Sequence, residues 1–563
     1  MGSKKKKLTR VGLVVIIVAA AVALTGFFLA RNAENILKER ITQNVSQMTD
    51  GLYHLTFRKL DLNILTGFLN IDDINLQLNE ERLNELSQKD SIPRLYGTVK
   101  IKNVHFEGVD FVYKRKRKKR ELNFHRLEII RPQIALIHPV SVRKDTVKQL
   151  PNNTFYEMIE PYLDVFSISE IRLENGELNF SSENETDTTT LQIQNINFRA
   201  DKFRIDSLAD KKSPCFLYSE DYRLTVDSSK VHFPNHLYTI RTGKIEWQLK
   251  DSLFRAKNIA YQTLVPKAQF IRNHADWFDV EVGAVELKNL HIQKIETEKS
   301  VQIDSIFVSD VYFNNYKNGK IPVVHRIVPM IYEPFQKFPI PYAIDYLKAS
   351  NVNVAYEELA KDRTQAGFIN FTQMEGIFDK GLTNIVREHT QTNRLLAKAK
   401  LMNAGLIRAE LYFPVDSTYD YAVVKGSLGT MNMLSLNKII TPMTSASINS
   451  GFIQRMDFDI RGGKKSAKIN MCLRYNDLTV DIGSWSLFAN GLIRNNNPKN
   501  PNDPLQCVEV THIRDPYHSS FNYLWKICFD GLSETLGYTQ VRKKRVEWIQ
   551  KEIKEIKKLK KKL

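Results

Sequence analysis

At 563 residues the chain exceeds one ordinary hydrophobic core, so two or three domains or an elongated architecture are expected. A composition 42% hydrophobic and 26% charged is that of an ordered protein and argues against a disordered one. The net charge of +18 sits in three appendages: Lys4 to Lys7 with Arg10 carry +5, the run 114–120 carries +7, and Val541 to Leu563 carries +8. Together these exceed the total, so the body is slightly negative. That is a poor footprint for nucleic acid and a fair one for a membrane.

Residues 1–10 read as a basic cytoplasmic tip, and residues 11–30 as a transmembrane anchor. Val11 to Ala30 is twenty residues without a charge, long enough to span a bilayer. Lys4, Lys5, Lys6, Lys7 and Arg10 precede it, so the positive-inside rule keeps the N-terminus in the cytoplasm and exports the rest. These five cations are candidate membrane-surface residues. A cleaved signal peptide ending at Ala21-Val22-Ala23 is the alternative, but the apolar run continues through Phe27, Phe28 and Leu29. Residues 31–52 read as a stalk helix, with Leu37, Ile41, Val45 and Met48 on one stripe.

Residues 53–320 read as an N-terminal β region. Its most regular stretch places Ile101, Val104, Phe106, Val109 and Phe111 at i, i+3, i+5, i+8 and i+10. Looser copies run through Ile168, Ile171 and Leu173, through Val282, Val285 and Leu287, through Ile303, Ile306 and Val308, and through Ile344 and Leu347. At about 100° per residue these positions form no helical stripe. They read as alternating strands whose parity slips at each two-residue step, and the same face stays apolar only if a bulge or tight turn sits there. The basic run 114–120 lies behind the export anchor, which puts nuclear import out of reach, and reads as a solvated hairpin tip. Thr154-x-x-Glu157 is a capping box.

Residues 321–342 hold five of the nineteen prolines among apolar residues. Proline at this density prevents a continuous helix or central strand, so a boundary is expected here, with the apolar side chains laid against the sheet. Residues 343–515 return to strands, with a short helix at Met431 to Ile440. Residues 516–563 read as two amphipathic helices. Phe521, Leu524, Trp525, Cys528, Leu532 and Leu536 share one face; the second helix is basic and carries Trp548, a further membrane-surface candidate.

Known catalytic motifs are missing. There is no nucleophile elbow, Walker loop or dinucleotide fingerprint, and no catalytic, cofactor-binding or metal residue is assigned. His232 and His236 have ligand spacing, but Pro234-Asn235 signals a turn between them. Cys215, Cys472, Cys507 and Cys528 form no C-x-x-C pair; small buried apolar residues are the plainer reading, and a disulfide is open if the domain is exported.

About twenty half-apolar strands with few covering helices leave an apolar face to bury. A sandwich, a barrel or a trough floored with acyl chains each solves this. The order of features resembles the AsmA-like proteins of Gram-negative envelopes, within the repeating-β-groove, bridge-like lipid-transfer group. The resemblance rests on the anchor followed by Tyr53-x-Leu-x-Phe57 and Leu69-x-Ile71-x-x-Ile74-x-Leu76, on the Pro-rich stretch before Ile344 to Val354, and on Ala409 to Ile482 with Ser450-Gly451 and Tyr475-Asn-Asp-Leu478. The basic tail has no counterpart in that pattern. The resemblance implies an inner-membrane anchor, a periplasmic β-groove, phospholipid as partner, a role in lipid movement or outer-membrane homeostasis, and no catalytic residues. The expected fold is therefore mainly β: an N-terminal transmembrane helix, an elongated curled antiparallel β-sheet groove, few short helices and C-terminal amphipathic helices. The apolar residues of the five copies are the candidate lipid contacts. A periplasmic scaffold or tether with envelope protein partners is the rival.

Overall fold

The computed structural model describes residues 42–537, except 44, 48, 64–65, 90–91, 94, 115–118, 140–155, 157–159, 161–162, 185–186, 208–217, 234–236, 271–276, 323–326, 445 and 482–492. The expected anchor, the basic tip, Trp548, most of the stalk helix, the capping box and the basic tail lie outside the described residues. Among the described residues no helix is long and apolar enough to cross a membrane.

By contacts the chain forms two compact units, residues 1–260 and 261–563, and the Pro-rich stretch lies inside the second. Both are mainly β. The first unit holds β1 (Tyr53–Thr56), β2 (Lys59–Asn63), β3 (Phe68–Leu78), β4 (Tyr96–Lys114), β5 (Lys119–His138), β6 (Val165–Asn184), β7 (Asp187–Asp206), β8 (Asp221–Val226), β9 (Ser228–His232), β10 (Tyr238–Thr242), β11 (Ile245–Gln248) and β12 (Leu253–Thr263), whose last residues enter the second unit. Strand β3 takes β1 and β2 on one edge and β4 on the other. The sheet continues through β5, β6 and β7, which then pairs with both β8 and β9.

The second unit holds β13 (Trp277–Leu290), β14 (Val301–Asn318), β15 (Tyr342–Leu359), β16 (Gly367–Phe378), β17 (Leu382–Thr383), β18 (Thr392–Leu401), β19 (Gly405–Pro414), β20 (Ala422–Leu428), β21 (Met431–Asn432), β22 (Ser447–Gly462), β23 (Ser466–Asp481) and β24 (Cys507–Ile513). Its sheet runs β13, β14, β15, β16, β18, β19, β20, β22, β23, β24.

The expectation of a wholly antiparallel sheet is corrected at two places. The β5–β6 and β14–β15 pairs are parallel. A parallel pair needs the chain carried back to the starting end before the next strand begins. The Pro-rich stretch does this after β14. Its prolines cannot donate to a ladder, which suits a crossing segment. The helix expected at Met431 to Ile440 is also corrected: β21 and a 3-10 turn (Met433–Leu436) precede the α-helix Asn437–Thr444, which contains Pro442.

The parity slips have a clear backbone cause. Gly108, Asn175, Asn289, Asp310 and Asn351 all have φ between 51° and 67°. Each occupies the second residue of the second two-residue step in its copy. Glycine, asparagine and aspartate tolerate this left-handed conformation best. One such residue shifts the alternation by one, and the apolar set stays on its face. The slips align across strands. Asp310 and Asn351 are parallel neighbours, bridged by Asn351 Nδ2 donating to Asp310 Oδ1 at 2.7 Å. Asn289 lies opposite Asp304 and donates to its Oδ2 at 2.7 Å.

Outward faces are charged. On β5 to β7, Arg126, Arg172 and Arg199 surround Glu170 at 2.9 to 3.1 Å. Burial pushes the Glu170 carboxyl up, but the guanidiniums of Arg172 and Arg126 outweigh it and hold the pKa below its ordinary value. Inward faces are apolar. In the first unit Val45, Leu163 and the β3–β7 residues pack into one core. In the second unit three segments cover the inner face: Met330 and Tyr332 of the Pro-rich stretch, Met433 and Ile439 around the Asn437–Thr444 helix, and Ile527 with Tyr523 of the helix Ser520–Thr535. The last helix bears out part of the expected amphipathic face: Phe521, Trp525, Cys528, Leu532 and Leu536 pack against the sheet cores. Leu524 belongs to none of the clusters, and the apolar side chains the helix buries deepest are Tyr523 and Ile527.

The Pro-rich cover is pinned by Glu333. Its carboxylate accepts from the Met330 amide at 2.7 Å and pairs with Lys337 at 2.7 Å and Lys464 at 3.2 Å. Burial works to raise its pKa, but Lys337, the Met330 amide and Lys464 prevail and hold it at about 2. A depressed carboxylate stabilises the fold above its unfolded pKa and loses that contribution as pH falls toward the folded one. The wild-type chain should therefore melt higher than Glu333→Gln at pH 6, with the gap closing between about pH 4.5 and 2; a pH series of thermal melts measures this. Asn351→Val, a β-branched residue at φ 51°, should lower stability by about 1–3 kcal/mol, and Asn351→Gly should cost less, as read by urea denaturation.

Candidate functional site

The candidate lipid contacts separate into two environments. In the first unit Ile101, Val104, Phe106, Ile168 and Ile171 are buried inside the core, with Val109, Phe111 and Leu173 packed against it. Val104 is 2% exposed and Ile168 has no exposure. These side chains face other protein side chains, because the segment around Val45 and the loop residue Leu163 fill the inner face of β3 to β7.

The second unit differs along β13, β14 and β15. Register brings its copies together as rows: Leu287, Ile306 and Leu347; Val285, Val308 and Ala349; Val282, Val311 and Val352; Val280, Phe313 and Val354. One further row, Leu290, Ile303 and Ile344, closes the lower end. Ile303 and Val352 are buried, while Val282, Val285, Leu287, Ile306, Val308, Ile344 and Leu347 are half-buried. Ile344 and Leu347 border the core under the Pro-rich cover. The residues Val280, Val282, Val285, Leu287, Ile306, Val308 and Phe313 belong to none of the three packed clusters of the described residues. The result is an apolar lane three strands wide. From Ile303 to Phe313 it extends roughly 30 Å at about 3.3 Å per residue.

Beyond Phe313 the same face turns polar. The next inward positions are Asn315 and Lys317 on β14, beside Tyr356 and Glu358 on β15. Lys317 Nζ donates to His518 Nδ1 at 2.6 Å. His518 Nε2 stands 3.4 Å from Asp515 Oδ2. Burial, with Lys317 next, pulls the His518 pKa below its ordinary value, so the ring is neutral at pH 7. The Glu358 carboxylate accepts from Tyr356 at 2.8 Å and from Asn522, at the start of the Ser520–Thr535 helix, at 3.2 Å. Sequence reasoning stopped at Phe313 and missed this cluster. Its one sequence signal is the alternation running on from Val311 and Phe313 into Asn315 and Lys317.

Elsewhere the chemistry is plain. A depression of about 570 Å³ on the outward face of the second sheet is lined by Lys398, Arg408, Lys425 and Arg455, interleaved with Glu375, Glu410 and Asp457. Two of its cations pair locally, Lys398 with Glu375 at 3.0 Å and Arg455 with Asp457 at 2.7 Å. Among the described residues no cluster of three His, Cys, Asp or Glu is placed to hold a metal, and His236 lies outside them. Cys472 and Cys507 face each other across β23 and β24 and form a disulfide.

The two environments give opposite expectations for one substitution. Val104→Asp puts an unpaired charge in a closed core and should abolish cooperative folding. Val285→Asp sits on a half-buried face outside the packed clusters of the described residues and should cost about 1–2 kcal/mol. Circular dichroism during urea denaturation of both variants reads the difference.

No family model matches this chain, and no curated protein is significantly similar to it; the functional reading therefore rests on the lane and its polar end.

Proposed function

We propose that the chain is a membrane-anchored lipid-binding or lipid-transfer protein of the AsmA-like type, exported to the periplasm and carrying acyl chains on the inner face of β13 to β15. The observation that carries this reading is that, among the described residues, the cover of that face is incomplete. A one-sided sheet must bury its apolar side. Three segments do so over β16 to β24 and the ends of β15, whereas the lane residues Val282, Val285, Leu287, Ile306 and Val308 are only half-buried and belong to none of the packed clusters of the described residues. An apolar patch of this extent in water calls for an occupant, and a lane of roughly 30 Å matches the thickness of a bilayer hydrocarbon core.

Two features support export. The uncharged stretch Val11 to Ala30 follows a basic tip, and the Cys472–Cys507 disulfide suits an oxidising compartment. The inner membrane is then the partner through residues 11–30, and phospholipid is the cargo. The filled core of the first unit favours a second reading for that part, a rigid scaffold or tether.

Native mass spectrometry of the full chain, released from membranes in mild detergent, tests the proposal. Phospholipid should co-purify with the wild type, and Val285→Asp should lose it while melting within a few degrees of the wild type. A lipid-free wild type that also takes up no added phospholipid would sink the reading.

A further inference from the structure

The apolar lane ends in a compact polar cluster on the same face, which an acyl-binding surface alone does not require. Asn315 and Lys317 continue the inward alternation of Val311 and Phe313. Asn315 is 6% exposed and Glu358 is 9% exposed. A lysine and a carboxylate thus stand on adjacent parallel strands, in register, at the end of the apolar lane. Burying charged groups is costly unless they are paired or serve a ligand. Lys317 is paired with a neutral ring rather than an acid: His518 Nδ1 accepts one of its three N–H groups at 2.6 Å.

We propose that this cluster holds the headgroup of a zwitterionic phospholipid whose tails lie along the lane. The inference rests on the acyl-lane reading and adds the polar half of the ligand. The phosphodiester faces the Lys317 ammonium, a charge-assisted contact stronger than one between neutral groups. The headgroup amine faces the acids, Glu358 and Asp515. The charged groups that act on His518 are two cations, Lys317 and Lys526, and two acids, Asp515 and Glu358. That balance suits a headgroup with one charge of each sign. Tyr356 and Asn522 hold the Glu358 carboxylate in place.

The test uses the full chain, stripped of lipid in detergent and titrated by native mass spectrometry with three probes: dioleoyl phosphatidylethanolamine, dioleoylglycerol and inorganic phosphate. The wild type should bind the phospholipid about tenfold more tightly than the diacylglycerol. Lys317→Gln should bring the two lipids level without weakening the diacylglycerol, and Lys317→Arg should keep the preference and show that the site still folds. Equal binding of the two lipids by the wild type overturns the headgroup site and leaves the lane standing. Binding of neither lipid overturns both. Inorganic phosphate bound as tightly as the phospholipid, and lost in Lys317→Gln, assigns the cluster to a soluble anion and overturns the lipid assignment.

Discussion

A β-sheet with one apolar face must keep that face out of water, and the organisation of both units follows from how this is done. In the first unit the cover is protein: Val45 and Leu163 close over β3 to β7, and Phe106, Phe124 and Ile168 are buried. Each such side chain contributes about 1.5–3 kcal/mol relative to leaving it in water. In the second unit the Pro-rich stretch, the Asn437–Thr444 helix and the Ser520–Thr535 helix divide the task over β16 to β24. Over β13 to β15 the described residues supply little of that cover. Function is assigned where the protein's own side chains stop meeting the constraint.

The constraint applies only if the apolar side chains stay on one face along strands of 14 to 20 residues. Alternation alone does this in a regular strand. Here the spacing i, i+3, i+5, i+8, i+10 breaks alternation twice per copy, and the backbone compensates each time. In the β4–β5 and β13–β14 antiparallel pairs one left-handed residue serves both strands: Gly108 opposite His125, Arg131 opposite Lys102, Asn289 opposite Asp304. In β6–β7 and β15–β16 each strand has its own, Asn175 with Asn195 and Asn351 with Gln373, and the register shifts there. In the parallel β14–β15 pair the two left-handed residues are neighbours. Side-chain amides then satisfy polar groups at the break, as Asn103 does by donating to Asn70 and Asp72 at 2.7 Å.

The β architecture was legible because the spacing excluded a helical face and demanded a slip. The residue type at the slip was legible too, since Gly108, Asn175, Asn289, Asp310 and Asn351 recur at one place in each copy, although the apolar pattern drew attention elsewhere. Parallel pairing was not legible. Nothing local to β14 or β15 distinguishes a hairpin from a return crossing, and the decision lies in the proline-dense segment between them. The split among candidate lipid contacts was hidden for a similar reason. Val104 and Val285 occupy equivalent pattern positions, and only the first lies in a packed cluster of the described residues, one that also takes in Val45 and Leu163 from distant segments. The polar end of the lane was hidden because Lys317 and His518 meet across 201 residues of chain.

The aligned left-handed residues also govern how the chain tolerates changes of length. Between two slips a strand such as β14 cannot gain or lose a single residue, because every side chain beyond that point would exchange faces and the next slip would lose its counterpart in β13 and β15. Length variation is thereby pushed to the strand ends and the crossings, where no register is at stake. The interior of the sheet can drift freely in sequence, trading valine for isoleucine along the lane, while its residue count stays fixed. Relatives of this chain would then be found by the spacing between left-handed asparagine, aspartate and glycine residues more readily than by the apolar residues between them.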